Sequence, residues 1–441
     1  MIGCHFGRLF QVTAAGGSYQ EGLATVIQGV PPGMYLTEEE IYGDLLLRKP
    51  GADELSSPRK EPDLPVIYTG LNVADTIKDA GNKNHTNGTP LSILIPNIDR
   101  HLIHIKQYQD TNRTPRPGHA SYASFMKYGP DDDAIGAGFF SGRYTATIVA
   151  AGYVAKKVLK KSGIEVFAYV KELASVRCSE IKHRKALEYT NSYKKMRRDF
   201  DPFYQEIYLK GRINMEMRFL EKMKVLSEIE QEIDAIRART PKSTPEEIAD
   251  KYGVHHILNC PDIKTAEEMT KACNRISSTG DSAGGIVEIV VLGLPAGMGE
   301  PVFDKLDAEF GKMLGIGAVK GVEVGAGFAV KDMTGYECND QMRAEKGKVV
   351  FESNNAGGIT GGLTTGQPVI IRLAVKPTPT IAKKQRTIDK YTLENKELSA
   401  ITRRDPTIVA RVWPVAEAFA AIILLDAYMQ HLAYQSICSK K

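Results

Sequence analysis

The stretch RYTATIVAAGYVAKKVL, from Arg143 to Leu159, decides how this chain folds, and the β-prone run IEVFAYV follows it at residues 164–170. Small residues recur along the first run at helical spacing. A helix face made of small side chains is typical of close packing against another element, because protein interiors are packed without voids. The sequence therefore predicts a tightly packed helix followed directly by a strand.

Short β-prone runs lie on both sides of this helix, between stretches rich in glycine and proline. Before it come LFQVT (9–13), VIYTGL (66–71) and LSILIP (91–96), and after residue 280 come IVEIVVL (286–292), GVEVGAGF (321–328) and VIIRLAV (369–375). A last helix is predicted from about Val415 to Leu432. Because both flanks have the same pattern of short β-prone runs between glycine- and proline-rich stretches, we expect one domain, 1–441, and not three domains in a row.

The segment 177–251 differs from both flanks because it has lost most of its glycine and proline and is rich in charged residues. Apolar residues recur there every three or four positions and predict one long amphipathic helix: Met215, Phe219, Met223, Leu226, Ile229, Ile233 and Ile236. Thr244, Pro245 and Glu247 then form the pattern of a helix cap. We interpret 177–251 as a helical insertion that packs on the body of the protein or on another subunit.

Composition excludes several classes of protein. The 441 residues carry a net charge of +4, and 25% of them are charged with both signs interleaved, which argues against a dedicated nucleic-acid protein. The six cysteines form no C-x-x-C pair and are expected to be reduced thiols. With no signal-like start and no apolar run of the ~20 residues that span a bilayer, a cytoplasmic protein without membrane partners is expected.

Three clusters carry candidate chemistry. The glycine-rich stretch 354–362 and the later Lys376-Pro377-Thr378-Pro379-Thr380 could hold a phosphate or a cofactor, or could simply be hairpin glycines. Arg403-Arg404-Asp405-Pro406 with Arg411 could bind an anion or form a surface ion-pair network. Arg116-Pro117-Gly118-His119 offers a histidine that could act as an acid near neutral pH or could be structural. No metal site is expected.

In order along the chain, many short motifs together resemble the chorismate synthase family. They are RLFQVT, GVPPGMYLTEEEIYGDL, RKPG, RKEPD, NGTP, RPGHA, KYG, AAGYVAKK, GDSAGG, GLPAGMGEPVFDKLDAE, AVKGVEVGAGF, SNNAGGITGG, KPTPTIAK and RRDP. The resemblance implies an α+β fold, a β-α-β sandwich of antiparallel sheets around a helical core, in a homotetramer. It also implies an enzyme that binds reduced FMN and converts 5-enolpyruvylshikimate 3-phosphate to chorismate by trans-1,4-elimination of phosphate.

The same resemblance implies roles for individual residues. His119 matches a catalytic histidine placed to protonate the flavin, and Asp405 matches an aspartate that handles protons there. Positions implied to bind the cofactor are Ser141, Gly317, Ala318, Gly361, Lys376, Pro377, Thr378, Pro379, Thr380 and Arg403. Positions implied to bind the small anionic substrate are Arg48, Arg116, Arg143 and Arg411.

The substrate side departs from the family pattern. Tyr19 stands where the family has the histidine that assists departure of the phosphate, and Phe139 and Phe140 replace an Arg and a Ser in the family's Gly-Arg-Ser-Ser-Ala-Arg-Glu. The family's arginine triplet is reduced to Leu47-Arg48-Lys49, and a further arginine position is Glu54. A family histidine is replaced at Asn355, and another at Arg404. Two alternatives therefore stay open: a paralog that uses reduced flavin on a different cyclic substrate, and a non-catalytic paralog whose insertion binds a partner.

Overall fold

The computed structural model describes residues 2–51, 54–56, 61–98, 105–106, 112–133, 135–399 and 405–438. Strands in this part of the chain are β1 (His5–Phe6), β2 (Gln11–Gly16), β3 (Gly22–Gln28), β4 (Val66–Thr69), β5 (Leu91–Pro96), β6 (Glu165–Leu173), β7 (Val176–Arg177), β8 (Gly285–Leu292), β9 (Val319–Val324), β10 (Met342–Glu345), β11 (Lys348–Phe351), β12 (Ile359–Thr360), β13 (Leu363–Thr364), β14 (Val369–Val375), β15 (Gln385–Ile388) and β16 (Asn395–Leu398). Helices are α1 (Glu38–Arg48), α2 (Ser121–Tyr128), α3 (Thr145–Lys161), α4 (His183–Asp199), α5 (Phe219–Arg237), α6 (Pro245–Tyr252), α7 (Ile263–Ser278), α8 (Leu306–Gly311), α9 (Gly335–Cys338) and α10 (Val409–Cys438).

Two five-stranded antiparallel sheets enclose a layer of helices. The first sheet has the strand order β1-β2-β3-β5-β4, and the second has the order β7-β6-β8-β14-β9. Helix α3 packs on β2 and β3 of the first sheet, α10 packs on β6 and β8 of the second, and the two helices pack on each other. The predicted α+β sandwich of antiparallel sheets around a helical core is confirmed.

The contact between α3 and α10 shows why the helix at 143–159 is built from small residues. A Cβ atom placed on Gly152 would lie 2.3 Å from the Cβ of Ala418, so a side chain there would force the helices apart. Glu417, also on α10, is fully buried and accepts hydrogen bonds from Lys156 on α3 and from Lys194 on α4 at 2.6 Å. The predicted close packing of this helix is therefore confirmed.

Helix α10 is the central element of the core. It is long and apolar enough to cross a membrane by length and composition, and most of its apolar stretch is buried inside the protein, as in a core helix. Its apolar side chains from Val409 to Leu425 belong to the same buried cluster as both sheets. The predicted terminal helix is thus present and begins several residues earlier than Val415.

The long amphipathic helix predicted in the insertion is present as α5, and the segment also holds a separate helix, α4, before it. Helix α4 ends at Asp199. Just beyond its end lie Pro202, which has no N–H to continue a helix, and Asp201, whose carboxylate accepts a hydrogen bond from the Tyr204 amide at 2.8 Å. Met215 precedes α5, which begins after Arg218, where the Glu221 side chain caps the chain. The predicted cap of α6 at Thr244 is present.

The insertion is anchored to the body by buried ion pairs. Lys222 on α5 contacts Glu38 on α1 at 2.5 Å, and Asp201 pairs with Lys49 at the end of α1. The apolar face of α5, which includes Ile229 and Ile233, is part of the main core cluster. We therefore propose that the chain is one domain, with 177–251 inserted in it and docked on its surface.

Candidate functional site

A cavity of about 450 Å³ opens where segments from distant parts of the chain meet. This size lies in the range of small-molecule sites, roughly 300–1,000 Å³. Its walls come from Tyr19, Arg48 at the end of α1, the 116–120 loop, the 136–145 segment before α3, the 314–320 loop before β9, the 376–380 loop after β14, and the start of α10 from Asp405 to Val415. The sandwich places all these chain ends at one point because each is a loop that leaves or enters a core strand or helix.

One side of the cavity carries Lys376, Arg116 and the threonines of the 376–380 loop. The Lys376 ammonium donates to the carbonyl oxygen of Gly118, and the Lys376 amide donates to the carbonyl of Ala318 at 2.9 Å. Arg116 Nη1 lies 3.3 Å from Thr380 Oγ1. Two cationic groups and hydroxyls beside main-chain glycines suit an anionic ligand such as a phosphate.

His119 lies on the same side, and its surroundings change the expectation that it acts as an acid near neutral pH. Burial, followed by the positive charges of Arg116 and Lys376, lowers the pKa of His119 to about 4. The imidazole is therefore neutral at pH 7 unless an anion offsets those charges. Its buried Nδ1 has no hydrogen-bond partner among the described residues.

Asp405 and Arg411 connect the start of α10 to α1. Arg411 donates through Nη1 to Asp405 Oδ1 at 2.9 Å and through Nε to the carbonyl of Arg48 at 3.0 Å. The main-chain carbonyl of Asp405 in turn accepts from Thr378 Oγ1 at 2.8 Å. These bonds place the carboxylate of Asp405 in the cavity wall next to the 376–380 loop.

Behind the opposite wall, arginines bind buried carboxylates. Arg143 pairs with Asp63, which is fully buried, and its Nη2 lies 3.6 Å from Glu61. Arg48 Nη2 lies 3.4 Å from the second oxygen of Asp63, and Arg48 also donates to the carbonyl of Arg143 at 3.0 Å. Arg48 reaches the cavity, whereas Arg143 does not line it.

Tyr19 lies on a short loop that is tied to the same network. Asn97 accepts from Arg143 Nε at 2.8 Å and donates to the carbonyls of Gly17 and Gln20 at 2.9 and 2.8 Å. A Cβ atom on Gly136 would lie 2.2 Å from the Tyr19 ring, so the ring packs directly on that glycine. Gly136 has φ of 58° and Ala137 has φ of 70°, in the left-handed region, which closes the chain tightly around the ring.

The remaining residues implied to bind ligands divide into three groups. Ser141, Gly317, Ala318, Thr378, Pro379 and Thr380 line the cavity. Pro377 is exposed and does not line it, and Gly361 lies in the turn between β12 and β13, away from its walls. Arg403 lies outside the described residues. Glu54, the lost arginine position, accepts from Asn274 at 2.8 Å and also does not line the cavity.

The sequence did not point to several residues of this site. Leu314, Gly315 and Ile316 extend the wall before Gly317, and Ile408, Val412 and Val415 form an apolar wall at the start of α10. The only signal for the first group is their position next to the AVKGVEVGAGF motif. Ile408, Val412 and Val415 have the spacing of ordinary core positions of a helix, because apolar side chains are found both in a protein core and in an apolar cavity wall.

The residues around the cavity fit reduced FMN, which the resemblance implies. Lys376, Arg116 and Thr380 supply the cations and hydroxyl that a flavin phosphate needs, and the 315–317 rim includes two glycines without side chains, where a flat ring system can approach the main chain. The unpaired Nδ1 of His119 provides a polar contact on the same side. No group of three or more His, Cys, Asp or Glu side chains placed to hold a metal ion occurs in the described part of the chain.

A two-sheet α+β sandwich with a cavity of this size and lining suits a protein that acts on a small molecule. The family described as "Chorismate synthase" matches residues 10–429. Curated relatives named chorismate synthase include one from Acetivibrio thermocellus, 38% identical over 100% of this chain and 98% of its own length, and one from Methanosarcina acetivorans, 36% identical over 97% and 96%. This chain belongs to the chorismate synthase family.

A solved structure agrees on the fold. The structure titled "Crystal Structure of Chorismate Synthase" is 23% identical, covers 97% of this chain and 94% of its own, and gives a TM-score of 0.62. The sandwich architecture is shared with that structure. The family match and the curated relatives confirm the resemblance stated from the motifs.

Proposed function

We propose that this protein converts 5-enolpyruvylshikimate 3-phosphate to chorismate by trans-1,4-elimination of phosphate, as a carbon–oxygen lyase. The observation that carries the proposal is the cavity itself. It gathers His119, Lys376, Arg411 and Asp405, which are far apart in sequence, around one space of small-molecule size. Full-length similarity to relatives named chorismate synthase supports this reaction rather than the alternative, a reaction on a different cyclic substrate.

We further propose that reduced FMN is the cofactor. When bound, reduced flavin lends an electron to the substrate and recovers it, so that the elimination has no net redox change. Lys376, Arg116 and Thr380 would hold its phosphate, and the main chain of Gly317 and Ala318 would face its ring. The neutral His119 would contact the cofactor through Nδ1. It would take up a proton once a bound anion offsets the positive charges of Arg116 and Lys376.

On the substrate side, Arg48 and Arg411 would orient the anionic groups of the substrate, and Arg411 would keep the Asp405 carboxylate beside the reacting atoms. The Tyr19 hydroxyl would donate a hydrogen bond to the leaving phosphate, in place of the family's histidine. Phe140 and the apolar side chains Ile408, Val412 and Val415 would exclude water from the cavity. A dry site strengthens each of these electrostatic contacts.

The proposed reaction can be tested directly. The purified protein is mixed without oxygen with photoreduced FMN and 5-enolpyruvylshikimate 3-phosphate, and the absorbance of chorismate is followed. Chorismate formation that depends on both reduced flavin and protein supports the proposal. Flavin binding without chorismate would contradict the substrate and point to a different cyclic compound, and a protein that binds no flavin would contradict the cofactor.

We also propose a homotetramer in the cytoplasm. Two large apolar side chains are strongly exposed: Phe303, just before α8, is 91% exposed, and Tyr336, on α9, is 80% exposed. Exposed apolar surface of this kind marks protein interfaces. The described cysteines Cys4, Cys178, Cys260, Cys273 and Cys338 are all free thiols, as expected in a reducing compartment. Light scattering during size-exclusion chromatography would contradict the tetramer if it gave the mass of one chain.

A further inference from the structure

The hydroxyl of Tyr144 bridges two points of the cavity wall. It donates to the carbonyl oxygen of Gly315 at 2.8 Å and accepts from the amide of Gly317 at 3.1 Å. Both glycines line the cavity, whereas Tyr144, which immediately precedes α3, does not line it and supports the wall from outside. A single side chain thus closes a ring of hydrogen bonds across the 315–317 segment.

This segment has a backbone conformation that needs support. Ala318, the next residue, has φ of 72°, in the left-handed region that costs a residue with a Cβ atom about 1 kcal/mol or more. Gly315 and Gly317 are exposed and carry no side chains that could pack to hold the segment in place. Its other supports include the buried side chains of Met313 and Ile316, main-chain hydrogen bonds from Ile316 to Met313 and from Val319 to Ile316, and the bond from the Lys376 amide to the Ala318 carbonyl.

Phe139 fixes the ring of Tyr144 in turn. The two rings are stacked, with centroids 5.6 Å apart and planes 21° apart. An aromatic pair of this geometry contributes about 0.5–1.5 kcal/mol beyond its buried area. The family motif quoted above carries an arginine and a glutamate at these two positions, so this chain has replaced both members together by an aromatic pair.

We propose that Tyr144, held by Phe139, is a positioning residue that keeps the 315–318 wall in the shape that receives the ligand. The wall is the one assigned to the flavin ring, so the ligand part of the inference rests on the proposed function. Burial raises the pKa of Tyr144 above its ordinary value, so the hydroxyl stays protonated and continues to donate to Gly315.

The test compares the Tyr144→Phe variant with the wild-type protein, both full length, and uses two readouts other than activity. The first is hydrogen exchange of the peptide that covers residues 312–320 in protein without flavin, and the second is the dissociation constant for FMN from the quenching of flavin fluorescence. Loss of these hydrogen bonds is expected to speed the exchange about tenfold and to raise the dissociation constant about tenfold. Phe139→Leu, which keeps an apolar side chain and removes the stack, is expected to shift both in the same direction by a smaller factor.

Tyr252→Phe is the matched control, because its hydroxyl donates to Asp199 at 2.7 Å on the insertion, outside the cavity. It should leave both readouts at the wild-type value. Unchanged exchange in Tyr144→Phe would overturn the proposal, and so would faster exchange with unchanged flavin affinity. If the wild-type protein bound no FMN, the proposed cofactor would be contradicted, and the exchange result alone would then support or overturn the role of Tyr144.

Discussion

The two sides of the cavity hold their cationic side chains in opposite ways. On the side of His119, the ammonium of Lys376 donates to a main-chain carbonyl, and in the described part of the chain no carboxylate pairs with it. On the side of Tyr19, Arg143 and Arg48 are bound to Asp63, and Glu61 lies close to Arg143. The charge of Lys376 on the first side is left for a ligand, whereas much of the charge on the second side is already neutralised within the protein.

The difference teaches that an arginine near a site is not by itself a ligand-binding group. Buried charges need partners, and a buried carboxylate that meets an arginine turns it into part of the scaffold. Changes on the second side are therefore expected to act on stability, and changes on the first side on ligand binding.

The largest expected effect is on stability. Asp63→Asn removes the carboxylate that two buried arginines share, and breaking a buried pair in this way typically costs about 3–5 kcal/mol in the free energy of unfolding. Urea unfolding measures it. Asp304→Asn is the control, because its ion pair with Arg8 is about half exposed and should contribute less than about 1 kcal/mol. A loss of similar size in both variants would refute the contrast between the two sides.

Lys376→Ala is expected to act on ligand binding instead. Loss of one charge-assisted hydrogen bond of about 1.5–3 kcal/mol corresponds to a rise of roughly 10- to 150-fold in the dissociation constant for FMN, with little change in unfolding. Lys383→Ala, in the same KPTPTIAK motif, removes an exposed lysine that pairs with Asp281 and does not line the cavity. Equal effects of the two substitutions on flavin binding would show that Lys376 has no specific contact with it.

Tyr19→His is expected to raise the rate of chorismate formation about tenfold, since a positioned imidazole protonates a leaving phosphate more readily than a phenol does. Tyr19→Phe, which removes the hydroxyl, should lower the rate. Steady-state kinetics at saturating reduced FMN measure both. A rate that neither substitution changes would remove Tyr19 from the reaction and leave its ring as a packing partner of Gly136.

The smallest expected effect concerns protons. Burial and the charges of Arg116 and Lys376 hold the pKa of His119 at about 4, and a bound anion offsets the charges, so the pKa should rise part of the way toward its ordinary 6.5. Between about pH 4 and 6.5, sulfate binding should then take up as much as about one proton and tighten as the pH falls. Calorimetry in buffers of different ionisation enthalpy measures this uptake.

The controls for the proton experiment are two histidine variants. His119→Gln should abolish the uptake. His255 also has a pKa of about 4, because of burial, but lies outside the cavity, so His255→Gln should leave the uptake intact. Uptake that persists without His119 would assign the proton to another group.

The sequence predicted the parts of the molecule that local pattern controls. The small-residue helix α3, the strand β6 after it and the cap at Thr244 follow from spacing and residue type alone. The motif resemblance also placed His119 and the 376–380 loop at one site. The extent of the insertion helices was missed, because the breaks between Asp199 and Phe219 depend on side-chain caps and a proline that periodicity does not weigh.

The direction of individual side chains could not be predicted. Whether Arg143 points into the cavity or toward Asp63 depends on a carboxylate 80 residues earlier in the chain. The bridge from Tyr144 to Gly315 and Gly317 spans more than 170 residues and has no motif of its own. Such contacts arise only once the sheets and helices are in place.

The central position of α10 has a consequence for biosynthesis. Residues 409–425 fill the space between α3 and the second sheet, whose strands lie entirely earlier in the chain, so on the ribosome that sheet is complete while the helix that covers it is still missing. The nascent protein must then expose the apolar face of the second sheet and one face of α3 late into translation, and chaperones that shield such surfaces are expected to bind it. Ribosome-bound chains that stop before residue 409 should be digested rapidly by protease, and resistance should appear only when the segment through Leu425 has emerged.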